Sequence, residues 1–190
     1  RSVAMYAPWV RKIFIVTNGQ VPHWLLQSER VTIVSHEDLY PEVSVLPTFN
    51  SNHIESVLHN IPDLAEHFLY LNDDFFFTAP SLPKDFFSIG GIGHVFLSPR
   101  HLDAHPVQDA DRASVASHKT ARALLQKRFG ISCHRKFKHA PYVMRKSVWQ
   151  KIDHDFEADL SRTRANRFRT QTDINGQFLY AHYALLSGNA

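Results

Sequence analysis

Apolar and polar positions fall into short blocks along this chain, and most blocks read as one element. Residues Lys12 to Thr17 form a β-branched and aromatic run closed by Asn18-Gly19, which predicts a buried strand followed by a sharp turn. Val31 to Ser35 is a second strand of the same kind. Ile54, Val57, Leu58 and Ile61 then recur at i, i+3, i+4 and i+7, and Asn52 with Glu55 has capping-box spacing. A helix is predicted there, stopped by Pro62. Phe68 to Leu71 is a third apolar strand, and it ends abruptly in Asn72-Asp73-Asp74 before Phe75-Phe76-Phe77.

The pattern weakens from Thr78 to Arg112, a stretch rich in Pro, Gly, His and Asp that reads as an irregular insertion or lid. Periodicity returns from Ala113 to Phe129, with Lys127 and Arg128 in the last turn and Gly130 beyond, the marks of a helix end. A short helix is predicted over Ser147 to Ile152. A final one runs from Asp173 to Leu186, with Ile174, Phe178 and Leu185 on one side. Strands that are apolar on both faces and alternate with helices predict an α/β fold, a layered Rossmann-like or GT-A-like sheet covered by helices. Ligands of such sheets gather beyond the strand carboxyl ends, where Asn18 and Asp73-Asp74 would lie.

Composition narrows the class. With 190 residues, 44% hydrophobic and 21% charged, the chain fits a single domain, residues 1–190, and excludes wholesale disorder or a coiled coil. The apolar runs are far shorter than the roughly twenty residues of a membrane span. A net charge of +3 permits an anionic partner, but no nucleic-acid-binding signature is present, so no nucleic acid is expected. Cys133 is the single cysteine, which excludes an internal disulfide and a multi-cysteine zinc site. The chain opens at Arg1 without Met and without a signal-peptide pattern, as expected of a segment of a longer protein.

Three clusters could carry chemistry. Adjacent carboxylates at an apolar strand end are costly unless solvated, hydrogen-bonded or bound to a cation, and hard oxygen ligands suit Mg²⁺ or Mn²⁺ beside phosphate. Asp73 and Asp74 are therefore metal candidates; an extended backbone would face Asn72 and Asp74 one way and Asp73 the other. The plainer alternative is an ordinary strand-to-loop junction with solvated acids. His139 lies in a basic run from His134 to Lys138 that Pro141 stiffens, and its ring could take a proton from a hydroxyl nucleophile. In a chain with thirteen histidines, a surface histidine in a basic loop fits equally well. Arg169 could grip phosphate oxygens through its guanidinium fork, while Asp173 could serve the site or simply cap the last helix. Asn18-Gly19-Gln20 could approach a nucleotide, although neither a Walker nor a GxGxxG pattern accompanies it. No GxSxG or HExxH motif supports a hydrolase.

The ordered series Ala7-Pro8-Trp9-Val10-Arg11, Ile15-Val16-Thr17-Asn18-Gly19-Gln20-Val21-Pro22, His36-Glu37-Asp38, Leu46-Pro47-Thr48-Phe49-Asn50-Ser51, Ile54-Glu55 and Tyr70-Leu71-Asn72-Asp73-Asp74 resembles the second conserved region of the Stealth family of sugar-phosphate transferases. His139-Ala140-Pro141, Arg169 with Asp173, and the aromatic helix Phe178 to Tyr183 resemble its third region. The resemblance is to the bacterial, capsule-polymerase type, related to the animal N-acetylglucosamine-1-phosphotransferase, and it implies a first region upstream of Arg1. It further implies transfer of a hexose-1-phosphate, N-acetylhexosamine-1-phosphate in particular, from a UDP-sugar to an acceptor hydroxyl of a capsular or cell-surface glycan.

On that basis Asp73 and Asp74 hold Mg²⁺, Arg169 takes pyrophosphate charge, His139 deprotonates or orients the acceptor, and Asp173 orients a neighbouring group or a metal-bound water. Arg1, Asn18 and Gln20 meet the nucleotide sugar. A cytoplasmic location is implied, at or near the inner face of the membrane. The competing readings are a metal-dependent glycosyltransferase that releases UDP and a non-catalytic module that binds anionic glycans through the basic run.

Overall fold

The structure is a computed structural model that describes residues 1–26, 28–40 and 43–190. After a short helix α1 (Ser2–Tyr6), strands β1 (Ile13–Thr17) and β2 (Val31–Ser35) pair in parallel, from Ile13 opposite Val31 to Thr17 opposite Ser35. Both strands stand where the β-branched runs predicted them. The chain leaves β2 through a 3-10 turn, His36–Asp38, fixed by the Asp38 carboxylate accepting from the Ser35 N–H at 2.8 Å.

Helix α2 (Ser51–Glu55) is shorter than its apolar periodicity predicts, and Asn50 rather than Asn52 caps it, its side-chain oxygen accepting from the Asn52 N–H at 3.1 Å. The early end has a local cause. The Ser56 hydroxyl bonds back to the His53 carbonyl at 2.7 Å, and the Arg164 guanidinium occupies the Ser56 carbonyl at 2.8 Å. The chain tightens to i, i+3 bonding, and a 3-10 turn over Leu58–Asn60 follows.

Strand β3 (His67–Tyr70) pairs antiparallel with a strand the sequence did not suggest, β6 (Tyr142–Arg145), with Tyr70 opposite Tyr142. Within the irregular stretch 78–112 lies β4 (Leu97–His101), which pairs antiparallel with β5 (Arg135–Phe137). The basic run expected in a loop is therefore half strand. The protein is a mixed α/β structure, and among the described residues its strands associate two by two in three small sheets.

Helix α3 (Ala113–Phe129) matches its predicted bounds and closes at Gly130, whose φ of 73° is the left-handed conformation that glycine adopts without strain. Helices α4 (Lys146–Asp155) and α5 (Glu157–Ala165) follow, α5 unpredicted because its sequence is polar apart from Leu160. The last helix, α6 (Gly176–Leu186), starts three residues later than expected, and Asn175 caps it by accepting from the Phe178 N–H at 2.8 Å. Asp173 is not that cap.

The main core gathers Leu125, Met144, Trp149, Ile152, Leu160, Phe178 and Leu179 between α3, α4, α5 and α6. Full burial of such a side chain is worth roughly 1.5 to 3 kcal/mol. A second cluster, Val34, Leu39, Val57, Leu58 and Ile61, lies under β2 and α2, and Tyr70 packs against both. Gly176 lets α6 approach closely, since a Cβ there would stand 3.1 Å from the Trp149 ring and 3.7 Å from Glu55 Cβ. That approach brings the start of α6 to α2 and the end of β3. Among the described residues no helix is long and apolar enough to cross a membrane.

Candidate active site

The end of β3 is where three separate parts of the chain meet. After Tyr70 the backbone turns, with the Phe75 N–H donating to the Asn72 carbonyl at 3.1 Å, so Asn72-Asp73-Asp74 is a turn and not extended strand. The alternation expected for these residues is therefore replaced. Asp73 and Asp74 are exposed, while Asn72 points inward. Asn72 Nδ2 lies 3.3 Å from His139 Nε2, and Gln177 Nε2 lies 3.5 Å from Asn72 Oδ1. With its oxygen facing the Gln177 amide, Asn72 presents its own amide hydrogen to His139, which leaves the ring proton on Nδ1. Phe75 meets the His139 ring edge-on at 4.4 Å and so fixes its plane.

Gln177 also donates to Glu55 Oε1 at 3.0 Å, and the Tyr70 hydroxyl donates to the same oxygen at 3.2 Å. Glu55 is 7% exposed, and its Oε2 is buried without a hydrogen-bond partner. Burial pushes this carboxyl up to about 7, against the opposing pull of the Tyr70 and Gln177 hydrogen bonds and the positive charge of Arg169. The same burial, with the negative charges of Glu55 and Asp74 nearby, raises the Tyr142 phenol to about 12. Glu55, Asp74, Tyr142 and Arg169 thus share one electrostatic neighbourhood.

Arg169 reaches that neighbourhood because two loops are joined. Phe49 donates its N–H to the Arg167 carbonyl at 2.8 Å, and Arg167 returns a bond to the Leu46 carbonyl at 3.1 Å. The exposed Arg169 side chain then donates to Ser51 Oγ at 2.6 Å, at the first turn of α2. Asp173 sits behind this junction, fully buried, accepting from Asn50 Nδ2 at 2.8 Å, Asn166 Nδ2 at 2.7 Å, the Thr170 N–H at 2.9 Å and the Thr170 hydroxyl at 3.0 Å. It touches neither His139 nor Asp73; its link to the site runs through Asn50, the cap of the helix that carries Glu55.

The structure therefore brings Asp73, Asp74, His139 and, through Glu55, Arg169 together. Arg1, Asn18 and Gln20 are exposed, the last two in the turn after β1, and among the described residues no side-chain hydrogen bond or ring contact joins them to this group. Glu55, Tyr70 and Gln177 were not singled out in the sequence as site residues. Glu55 read as half of a capping box, yet it also precedes Leu58 and His59 by three and four residues, on the flank of the buried face, and an acid at such a position is a signal. Among the described residues no three His, Cys, Asp or Glu side chains form a metal cage. Asp73 and Asp74 are nonetheless adjacent, exposed and without a cationic partner among the described residues, which fits Mg²⁺ held by one or two carboxylates plus waters and substrate phosphates.

Beside His139 opens a pocket of about 250 Å³. His139, Tyr142, Gln177 and Phe178 line it together with His118 and Lys136.

Comparison with known proteins places the same residues in context. The family model described as Stealth protein CR2, conserved region 2, matches residues 1–94, and Stealth protein CR3, conserved region 3, matches residues 138–186. An exopolysaccharide phosphotransferase of Streptomyces coelicolor is 43% identical over 192 residues, which cover 100% of this chain and 33% of that protein. One from Nocardia farcinica is 43% identical over 193 residues, 100% of this chain and 38% of the relative. The exopolysaccharide phosphotransferase CpsY of Mycobacterium tuberculosis is 40% identical over 191 residues, 100% of this chain and 36% of the relative. The chain spans about a third of the length of these relatives.

Proposed function

The chain belongs to the Stealth family, and on that premise we propose that it supplies the acceptor-activating and phosphate-binding part of a sugar-phosphate transferase. The reaction moves a hexose-1-phosphate, N-acetylhexosamine-1-phosphate in particular, from a UDP-sugar to a glycan hydroxyl and makes a phosphodiester in a cell-surface polysaccharide. The observation that carries this reading is the linkage of Glu55, Gln177, Asn72 and His139 at the turn that bears Asp73 and Asp74, with Arg169 acting on Glu55.

Phosphoryl transfer asks little covalent chemistry of a protein; it needs an aligned nucleophile and cancelled charge on the phosphate oxygens. Among the described residues His139 Nε2 carries only a long hydrogen bond, to Asn72 at 3.3 Å, so an incoming hydroxyl can displace it and give up its proton there. Asn72 and Phe75 keep the ring in that attitude. Arg169 offers a guanidinium with Ser51 as its side-chain hydrogen-bond acceptor, leaving donors for phosphate oxygens. Asp73 and Asp74 would hold Mg²⁺ or Mn²⁺, which supplies countercharge to the pyrophosphate when bound. Glu55 is buried; through Gln177 it sets the attitude of Asn72, and so acts as a positioning residue.

Arg1, Asn18 and Gln20 are proposed to meet the nucleotide in the full-length protein. The β1–β2 pair has no further strand neighbour among the described residues, and we place there the strands that would complete a layered GT-A-like sheet. Relatives named exopolysaccharide phosphotransferases support a glycan acceptor, and we place the enzyme in the cytoplasm near the inner face of the membrane. The full-length enzyme, given a panel of UDP-sugars and an acceptor, should release UMP and form a product whose phosphorus NMR spectrum shows a phosphodiester. Release of UDP with a phosphorus-free linkage would overturn this function in favour of glycosyl transfer.

A further inference from the structure

The pocket beside His139 has an unusual lining for its charge. Lys136, half-buried on β5, lines it and has no ion-pair or hydrogen-bond partner among the described residues. His118, from α3, faces the same space, and the charge of Lys136 acts on its ring. Among the described residues no carboxylate lines the pocket. A half-buried cation left unpaired among the described residues favours an anionic occupant. The remaining walls are the rings of Phe137, Tyr142 and Phe178 and the amides of Asn175 and Gln177. Aromatic faces with a few directional amides suit a sugar ring, which offers C–H faces and hydroxyls. At about 250 Å³ the space is near the lower end of the roughly 300 to 1,000 Å³ of small-molecule sites, room for about one sugar unit.

The walls also differ in origin. His139, Tyr142, Asn175, Gln177 and Phe178 fall inside the matched segment 138–186, whereas His118, Lys136 and Phe137 lie in the stretch between the two matched segments. The shared chemistry and the charge-bearing wall thus come from different parts of the chain, as a specificity-determining wall would.

We infer that this pocket is the acceptor subsite and that it recognises a saccharide carrying a phosphodiester, with Lys136 as the anion contact. The inference rests on the sugar-phosphate transfer proposed above: if each transfer leaves a phosphodiester, the growing glycan brings one negative charge per linkage, and the product of one step is the acceptor of the next. Lys136 then lets the enzyme favour a chain already begun over a neutral primer. His139 lines the same pocket, so a glycan seated by its last phosphodiester can present its terminal hydroxyl to that ring.

The test uses the full-length enzyme and two probes, a disaccharide of N-acetylglucosamine joined by a phosphodiester and the neutral disaccharide joined by an ordinary glycosidic bond. Lys136→Gln should raise the acceptor KM for the phosphodiester probe about tenfold, the typical loss for one charge-assisted contact, and leave the neutral probe and the donor KM unchanged. Lys136→Arg should restore most of the affinity. Raised salt should weaken the phosphodiester probe in the unmodified enzyme and much less in Lys136→Gln. Equal effects on both probes, or none on either, would overturn the inference. Binding of the phosphodiester probe, followed by NMR line broadening with and without the Lys136→Gln change, reads the subsite without turnover. If no donor releases UMP yet this binding still depends on Lys136, the function has failed and the anion subsite stands; if UMP is released and binding ignores Lys136, the subsite has failed alone.

Discussion

Replacing Glu55 by Gln separates the burial of this acid from everything else at the site. The carboxyl rises from 4.5 to about 7 because its charged form is cut off from water, and at about 1.4 kcal/mol per pH unit the rise is worth about 3 kcal/mol. The sign follows from proton linkage. Below pH 4.5 the group is protonated both folded and unfolded and contributes nothing. Between there and about 7 only the unfolded chain ionises, so folding stability falls; above about 7 both states ionise and the loss stays constant. Gln cannot titrate and keeps an oxygen for the Tyr70 and Gln177 donors. Its amide nitrogen would stand where Oε2 has no partner, a penalty of about 1 to 3 kcal/mol that does not vary with pH. The slope and not the level is therefore diagnostic. Urea titrations of both proteins from pH 4.5 to 8 should show the variant gaining on the parent by about 3 kcal/mol across that range. Over the same range kcat should stay close to the parent's, because Gln keeps the oxygen that holds Gln177 and, through it, Asn72 beside His139. Parallel stability curves would refute the burial argument, and a large loss of kcat at every pH would show that Glu55 does more than position Gln177.

Asp73→Asn and Asp74→Asn should each weaken divalent-dependent donor binding about tenfold or more while leaving the thermal midpoint unmoved, since both side chains are exposed; metal titrations followed by calorimetry decide this, and unchanged metal dependence in both variants removes the metal assignment. His139→Ala should slow turnover by about 10² to 10⁴ and leave donor affinity intact, as a group acting on the acceptor must. Asp173→Ala should lower stability by about 3 kcal/mol or more in urea titrations, since it strands donors from Asn50, Asn166 and Thr170 in the interior. A variant of Asp173 that is fully stable but inactive would give that residue a direct chemical role.

The parts of the structure that read well from sequence are those in which one local rule dominates. Strands β1 and β2 have β-branched runs and a Gly turn, and α3 has both its periodicity and a Gly130 stop, so their bounds were visible. Helix α2 misled because Ser56 and Arg164 end it from outside its own pattern, Arg164 lying 108 residues away. Strands β5 and β6 were hidden for a related reason. A run of His134, Arg135, Lys136 and Lys138 looks like a solvated face, and only pairing with β4 makes it a strand, while the β6 residues declare themselves by pairing with β3. The site followed the same division. Asp73, Asp74 and His139 announced themselves by residue type and neighbourhood. Glu55 and Gln177 did not, because their significance lies in a contact across 122 residues of chain.

That long-range contact also explains why the two matched segments work as one site. Residues 1–94 supply Glu55, Tyr70, Asn72, Asp73 and Asp74, and residues 138–186 supply His139, Tyr142, Arg169, Asp173 and Gln177. Each segment alone leaves a polar group it cannot satisfy. Glu55 would be a buried acid with no donor but Tyr70, and Asp173 would lose the Asn50 amide. Each acid gains its donor from the other segment only when α2 docks between β3 and the start of α6, which the absence of a side chain at Gly176 permits. Buried polar groups satisfied across an interface specify one arrangement more sharply than apolar packing does, because any slip strands a donor or an acceptor. Exposed Asp73 and Asp74 would be free to exchange water for a cation, while Glu55, buried and three hydrogen bonds away from His139, would hold the geometry of the proposed proton acceptor. On that reading carboxylates of one chemical type take two jobs, and their exposure to water is what divides them.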